Sequence, residues 1–156
     1  MADLAEHLAA VGVALPADFV AFYTWSGWEY QLDTVSVTGC WTRLGPRPIF
    51  SPVEPGAFLV RFLSDQQDCV SWYLYLRRGE PPFVVHAYGL DFDHDSDEDE
   101  FGVINMCADS FEEFAYRFWI ENRIWQHLHD PDAGTLPPQF AEYLAHYPTP
   151  ADGSAN

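Results

Sequence analysis

The sequence predicts an α+β fold: a mostly antiparallel central sheet flanked by N-terminal and C-terminal helices in a single domain. Three observations predict it. Apolar residues recur at helical spacing before residue 28. Three segments between residues 58 and 90 are rich in β-formers and are separated by polar or proline-rich turns. Helical spacing returns after residue 109, behind a capping box. Helices, then a run of strands, then helices is the order of an α+β domain, not of the alternating βαβ class.

Composition narrows the function classes. The chain has 156 residues, enough for one domain with a sizeable core. Apolar residues make up 48% and aromatic residues 17% of it, which excludes a disordered chain. Seven basic residues stand against 24 acidic ones, for a net charge of −17. Such a surface repels nucleic acid and anionic membrane and attracts basic proteins. Cys40, Cys69 and Cys107 are far apart and form no CxxC, so zinc and thioredoxin-like readings have no support. The odd cysteine count, and an MADLAEHL start without a signal peptide's basic region, predict a reducing, cytoplasmic compartment. No apolar run reaches membrane-spanning length.

The elements follow in order. Residues 2–11 place Leu4, Leu8 and Val11 on one helical stripe, and Gly12 can end that helix. Residues 15–27 form a second helix, with Pro16 and Asp18 in its first turn and Gly27 as a C-terminal cap. The stretch WEYQLDTVSV alternates from Trp28 through Tyr30 to Leu32 and is expected to be a strand. Residues 45–56 hold four prolines and read as a loop. Residues 58–63, 70–76 and 83–90 are strands, with Gly79 freeing the turn in RRGEPP. Residues 101–107 are a weak strand or an irregular return. Residues 109–130 form the long helix. Ser110 and Glu113 make its capping box, and Phe111, Phe114, Phe118, Trp125 and Leu128 its apolar face. Residues 137–147 are a last short helix, and the tail beyond it is frayed.

The motifs that carry chemistry are mostly absent. Residues 91–100, DFDHDSDEDE, concentrate seven acidic side chains with no Arg or Lys among them. An EF-hand loop wants Gly at its sixth position and Glu at its twelfth. Counted from Asp91 these are Ser96 and Gly102; counted from Asp93 they are Glu98 and Ile104. Neither register fits, so no metal is assigned, although alternating carboxylates remain hard oxygen ligands. His127 and His129 sit two apart, and residues two apart do not share a helix face. His86 lies in a strand and reads as a packed side chain. There is no G-x-S-x-G elbow and no Gly-rich phosphate loop. The aromatic residues of 111–125 read as core at their helical spacing. No cofactor and no catalytic residue is assigned; the chain reads as a binding protein and not an enzyme.

Three stretches together resemble the SUKH superfamily, the bacterial immunity proteins that also include the fungal cell-wall assembly regulator. They are LPADFVAFYTWSG (15–27), DQQDCVSWYLYL (65–76) and SFEEFAYRFWIENRIW (110–125). The family often has a Gly doublet after the early helix, where this chain has Gly27 before Trp28. Its common Asn-Gln-Gly turn reads Gln66-Gln67-Asp68 here. The resemblance implies a SUKH-like domain over residues 1–148 with a flexible tail at 149–156. It also implies function by binding: neutralisation of a cognate bacterial toxin, often a nucleic-acid-targeting enzyme with a basic cleft. Asp93, Asp95, Asp97, Glu98, Asp99 and Glu100 are then candidates for an acidic arm against that cleft. Trp28 and Tyr30 are candidate aromatic anchors. The rival for the acidic run is a solvated loop that binds nothing. Three rival functions stay open. They are a non-catalytic regulatory or scaffold module without a linked toxin, an enzyme whose site is assembled only in three dimensions, and an acidic nucleic-acid mimic.

Overall fold

The computed structural model describes residues 1–28, 30–88 and 103–146. Among these residues five helices and one antiparallel sheet form an α+β architecture. The expected acidic run at 91–100 and the expected tail at 149–156 lie outside the described residues.

Helix α1 spans Ala2–Ala10 and buries Leu4 and Leu8, with Val11 packed against the same core. Gly12 follows at φ +72°, a conformation that costs a side chain strain, and the Arg78 guanidinium lies against it. Arg78 also donates to Val11 O at 2.7 Å, tying this turn to the sheet. Helix α2 spans Ala17–Thr24 behind extended Pro16, whose fixed φ suits the entry to a helix. Phe19 and Phe22 are its buried residues. It stops at Thr24, so Gly27 is not its cap; at φ +86° Gly27 shapes the turn beyond.

The strand expected from Trp28 to Val37 is a correction. Residues 25–28 and Tyr30 are in turn or bend conformation, and Gln31–Val35 form helix α3. The buried residues are Leu32 and Val35, three apart and so on one helical face. The Trp28–Tyr30–Leu32 alternation marks no sheet face. Long-range polar contacts hold this short helix. Asn122 Oδ1 accepts from Val37 N–H at 2.9 Å, and Gln126 Nε2 donates to Val35 O at 3.0 Å. Asp33 accepts from both the backbone and the hydroxyl of Thr42.

The strands are β1 (Trp41–Thr42), β2 (Ile49–Phe50), β3 (Phe58–Ser64), β4 (Val70–Leu76), β5 (Phe83–Tyr88) and β6 (Ile104–Ala108). The order is β1-β3-β4-β5-β6, with β2 also paired to β3. Residues 45–56 are therefore not wholly loop. β1 and β2 share one edge of β3 and are separated by Pro46 and Pro48, which have no N–H for a ladder. Phe58, Val60, Phe62, Leu74, Leu76 and Val84 face the helices. Leu59, Tyr73, Tyr75, Val85 and Ala87 form a second buried cluster on the opposite face. Burial of both faces explains why FLVRFL and VSWYLYL read as near-continuous apolar runs.

Helix α4 spans Phe111–His129. Ser110 Oγ accepts from Glu113 N–H at 3.1 Å, and Glu113 Oε2 accepts from Asp109 N–H at 2.9 Å. The capping box thus reaches one residue further back than the usual form. The expected apolar stripe holds for Phe111 and Phe114 and, partly buried, for Phe118. It fails beyond. Trp125 is 48% and Leu128 63% exposed, while Ile120 and Ile124 are buried with Phe140 of helix α5 (Pro138–Ala145). The helix meets two neighbours, so its buried face rotates along its length. Asn122 and Gln126 take the stripe positions that face the residues around α3.

Two measurements check this frame. Asn122→Ala leaves Val37 N–H without its partner and is expected to cost about 1–2 kcal/mol, read as a lower denaturant midpoint at unchanged m-value. Tyr23 donates its hydroxyl to Phe62 O at 3.1 Å. Burial, and then the Asp33 carboxylate, push its phenol far above its ordinary value. The unfolded chain therefore releases this proton first. The contribution is complete below about pH 10 and is lost as pH rises beyond it. Thermal scans from pH 8 to 11.5 should show a shallower alkaline decline for Tyr23→Phe than for the parent chain.

Candidate functional site

A wide concavity among the described residues lies between α2, the turn after it, α3 and α4. Its volume is about 790 Å³. The floor is core: Phe22, Leu32 and Phe111 are all buried. The walls are aromatic side chains left in water, with Trp25 and Trp28 on one side and Tyr116 and Trp119 on the other. Trp25 is 60% and Trp28 50% exposed.

Local sequence explains how two tryptophans come to stand together. Trp28 N–H donates to Trp25 O at 3.1 Å, closing a four-residue turn. Gly27 is the third residue of that turn, where a type II turn requires positive φ. Gln31 N–H then donates to Trp28 O at 3.0 Å, leading into α3. The two indoles meet edge to face at 5.2 Å between ring centroids. Tyr116 and Trp119 are three apart on α4 and share a face, with Ala115 leaving space between the helices.

Among the described residues, the charged ones that line the groove are Asp18 and Glu112, both carboxylates. Asp18 is fixed. Its Oδ1 accepts from Phe19 N–H at 2.9 Å, and its Oδ2 accepts from Glu112 N–H at 3.0 Å. It thereby joins the first turns of α2 and α4 and answers the positive end of both helices. The chain has no lysine, and none of its seven arginines lines the groove. Several arginines are engaged elsewhere: Arg43 with Asp68 at 2.6 Å, Arg77 with Glu80 at 2.8 Å, and Arg117 between Glu113 and Glu121. The groove can therefore stack a flat or apolar group and hold a cation; it presents no positive side chain to an anion.

The sequence-predicted residues fall in different places. Trp28 is exposed and lines the groove. Tyr30 is 62% exposed and is not among the lining residues. Asp93, Asp95, Asp97, Glu98, Asp99 and Glu100 lie outside the described residues. Trp25, Tyr116 and Trp119 were missed. Their signal was present in the aromatic excess, but helical spacing assigned 111–125 to the core. Among the described residues no group of three or more His, Cys, Asp or Glu is placed to hold a metal ion. His129 stacks on Trp125 at 3.9 Å, and His127 lies near Phe140.

One pairing was not visible in the sequence. A bulge between Val84 and Val85 leaves Cys107 as the extra residue of β6. Its Sγ lies 3.0 Å from His86 Nδ1, and Asn105 Nδ2 lies 3.4 Å from His86 Nε2. Cys, His and Asn thus meet on adjacent strands, an arrangement that some thiol enzymes use. Burial pushes the Cys107 thiol up, and the His86 contact and the Arg117 charge only partly offset it. The nucleophile is the thiolate, which this environment disfavours. The contacts tie β5 to β6 through their side chains.

At pH 7.5 a thiol reagent such as DTNB should label exposed Cys69 first and Cys107 much more slowly, with buried Cys40 reacting only on unfolding. Cys107 labelling should accelerate as pH rises. Fast Cys107 labelling at neutral pH, slowed by His86→Ala, would instead reveal an activated thiol. Comparison with family models, curated proteins and solved structures finds no match for this chain.

Proposed function

We propose that this chain is a non-catalytic binding protein that captures a basic protein, and that the partner is a cognate bacterial toxin directed at nucleic acid. One observation carries the binding reading. On a chain of net charge −17, an aromatic-walled groove stands open whose charged lining residues are both carboxylates. Exposed aromatics grouped around a cleft are the composition of binding sites and binding hot spots. The toxin class comes from the resemblance of residues 15–27, 65–76 and 110–125 to SUKH immunity proteins. The two fit each other physically. A nuclease must present a basic cleft to phosphate, and an acidic protein is drawn to it over long range, which speeds encounter.

The test is affinity capture of the tagged chain from its own cells, washed at low and then moderate salt. The expected result is one basic protein with a nuclease-like domain, encoded beside this chain. Association should slow severalfold between about 50 and 300 mM salt, as steering weakens. Replacing Asp93, Asp95, Asp97 and Asp99 by Asn should slow it further and flatten the salt dependence. A mixed set of housekeeping proteins, or an empty eluate, would leave the toxin reading without support and favour a regulatory module.

A further inference from the structure

We propose that the groove between α2, α3 and α4 is where the partner docks. Its occupant is a protein segment that inserts an arginine flanked by apolar side chains. This deepens the binding reading above and rests on it.

The walls make the first part of the case. Trp25, Trp28, Tyr116 and Trp119 each keep a large part of their ring surface in water, although the floor beneath them is packed. Flanking apolar side chains would take that surface out of water. The groove's volume of about 790 Å³ admits several side chains at once.

Charge selects the occupant. Asp18 is held by two backbone N–H groups and cannot swing away, so it is a preorganised acceptor. Glu112 stands next to it across the helix junction. An arginine suits this setting better than a lysine, because its planar guanidinium stacks on an indole face while donating to a carboxylate. Anionic ligands such as nucleotides and fatty acids meet two carboxylates and the field of the whole chain. A second copy meets the same field, and residues 147–156 contain Asp152 and no arginine or lysine. Neither carries a net positive charge.

The six tryptophans give a built-in control. Trp25, Trp28 and Trp119 line the groove, while Trp41, Trp72 and Trp125 do not. Three 14-residue helical peptides on one alanine-rich scaffold serve as probes. The first carries leucines flanking an arginine on one face. The second has glutamate for the arginine, and the third serine for the leucines. Each is titrated into the full-length 15N-labelled chain at low salt, and the six indole N–H signals are followed. The first peptide should move the three groove signals and leave the other three in place. It should bind at least about tenfold more tightly than either control, and Trp28→Ala or Glu112→Gln should each weaken it by about three- to tenfold. Both substituted residues are exposed, and retained signal dispersion confirms that the variants fold.

Equal binding of the arginine and glutamate peptides, shifts spread over all six indoles, or no shift at all overturns the proposal. The two readings fail separately. A toxin still captured at full affinity by Trp28→Ala leaves the function standing and removes the groove from it. Selective binding of the arginine peptide, with no toxin captured from cells, supports the groove and removes the toxin.

Discussion

The structure depends on the contacts made by one ring, Phe111, the first residue of α4. It meets Phe19 at 4.9 Å, Phe22 at 5.2 Å and Phe62 at 5.3 Å, each edge to face. Those partners belong to α2 and β3, so a single side chain locks two helices and the sheet together. Edge-to-face pairs add to plain burial because the positive ring edge meets the negative ring face. The capping box at Ser110 fixes where α4 begins and hence where Phe111 points. Asp18 closes the same junction from the polar side through Glu112 N–H. The groove is a consequence of this arrangement. Phe22 and Phe111 are both core and floor, so the walls above them stand on buried, closely packed rings.

Two bulges do the rest of the positioning. Regular alternation along β3 would put Leu59, Arg61 and Leu63 on one face. The bulge between Arg61 and Leu63 reverses the parity, so Phe62 and Leu63 both enter the helix-side core while Arg61 does not. The second bulge, in β6, turns Cys107 toward His86 and leaves its carbonyl to accept from Arg117 at 3.2 Å. An extra residue in one strand changes which side chains share a face, and here each bulge serves packing.

Charge is organised differently from the core. Among the described residues Arg43, Arg77 and Arg117 pair with carboxylates near the surface, and such pairs contribute little stability. Their placement matters more for what they leave uncovered. With arginine absent from the groove, Asp18 and Glu112 keep their negative field. The excess acidity lowers stability through self-repulsion, but it supplies long-range attraction to a basic partner.

The sequence by itself determined the fold class, the central strands and the start of α4. Those features rest on local signals: β-rich runs bounded by turns, and a capping box. It also determined the strong net acidity, because net charge needs no structure. It misread residues 28–37, where alternation in WEYQLDTVSV suggested a strand. Asn122 and Gln126, far along the chain, supply the hydrogen bonds that make it a turn and a helix, and no local pattern contains them. It also misread Trp125 and Leu128 as core, because periodicity names a stripe but not the neighbour that stripe will meet. The sequence singled out Trp28, which lines the groove, but not Trp25, Tyr116 and Trp119, since core and exposed aromatics look alike at helical spacing. Only the tertiary structure decided which rings stay in water. That depends on where α2, α3 and α4 separate, and the separation is set by Phe111 and Asp18 acting across residues that are distant in sequence.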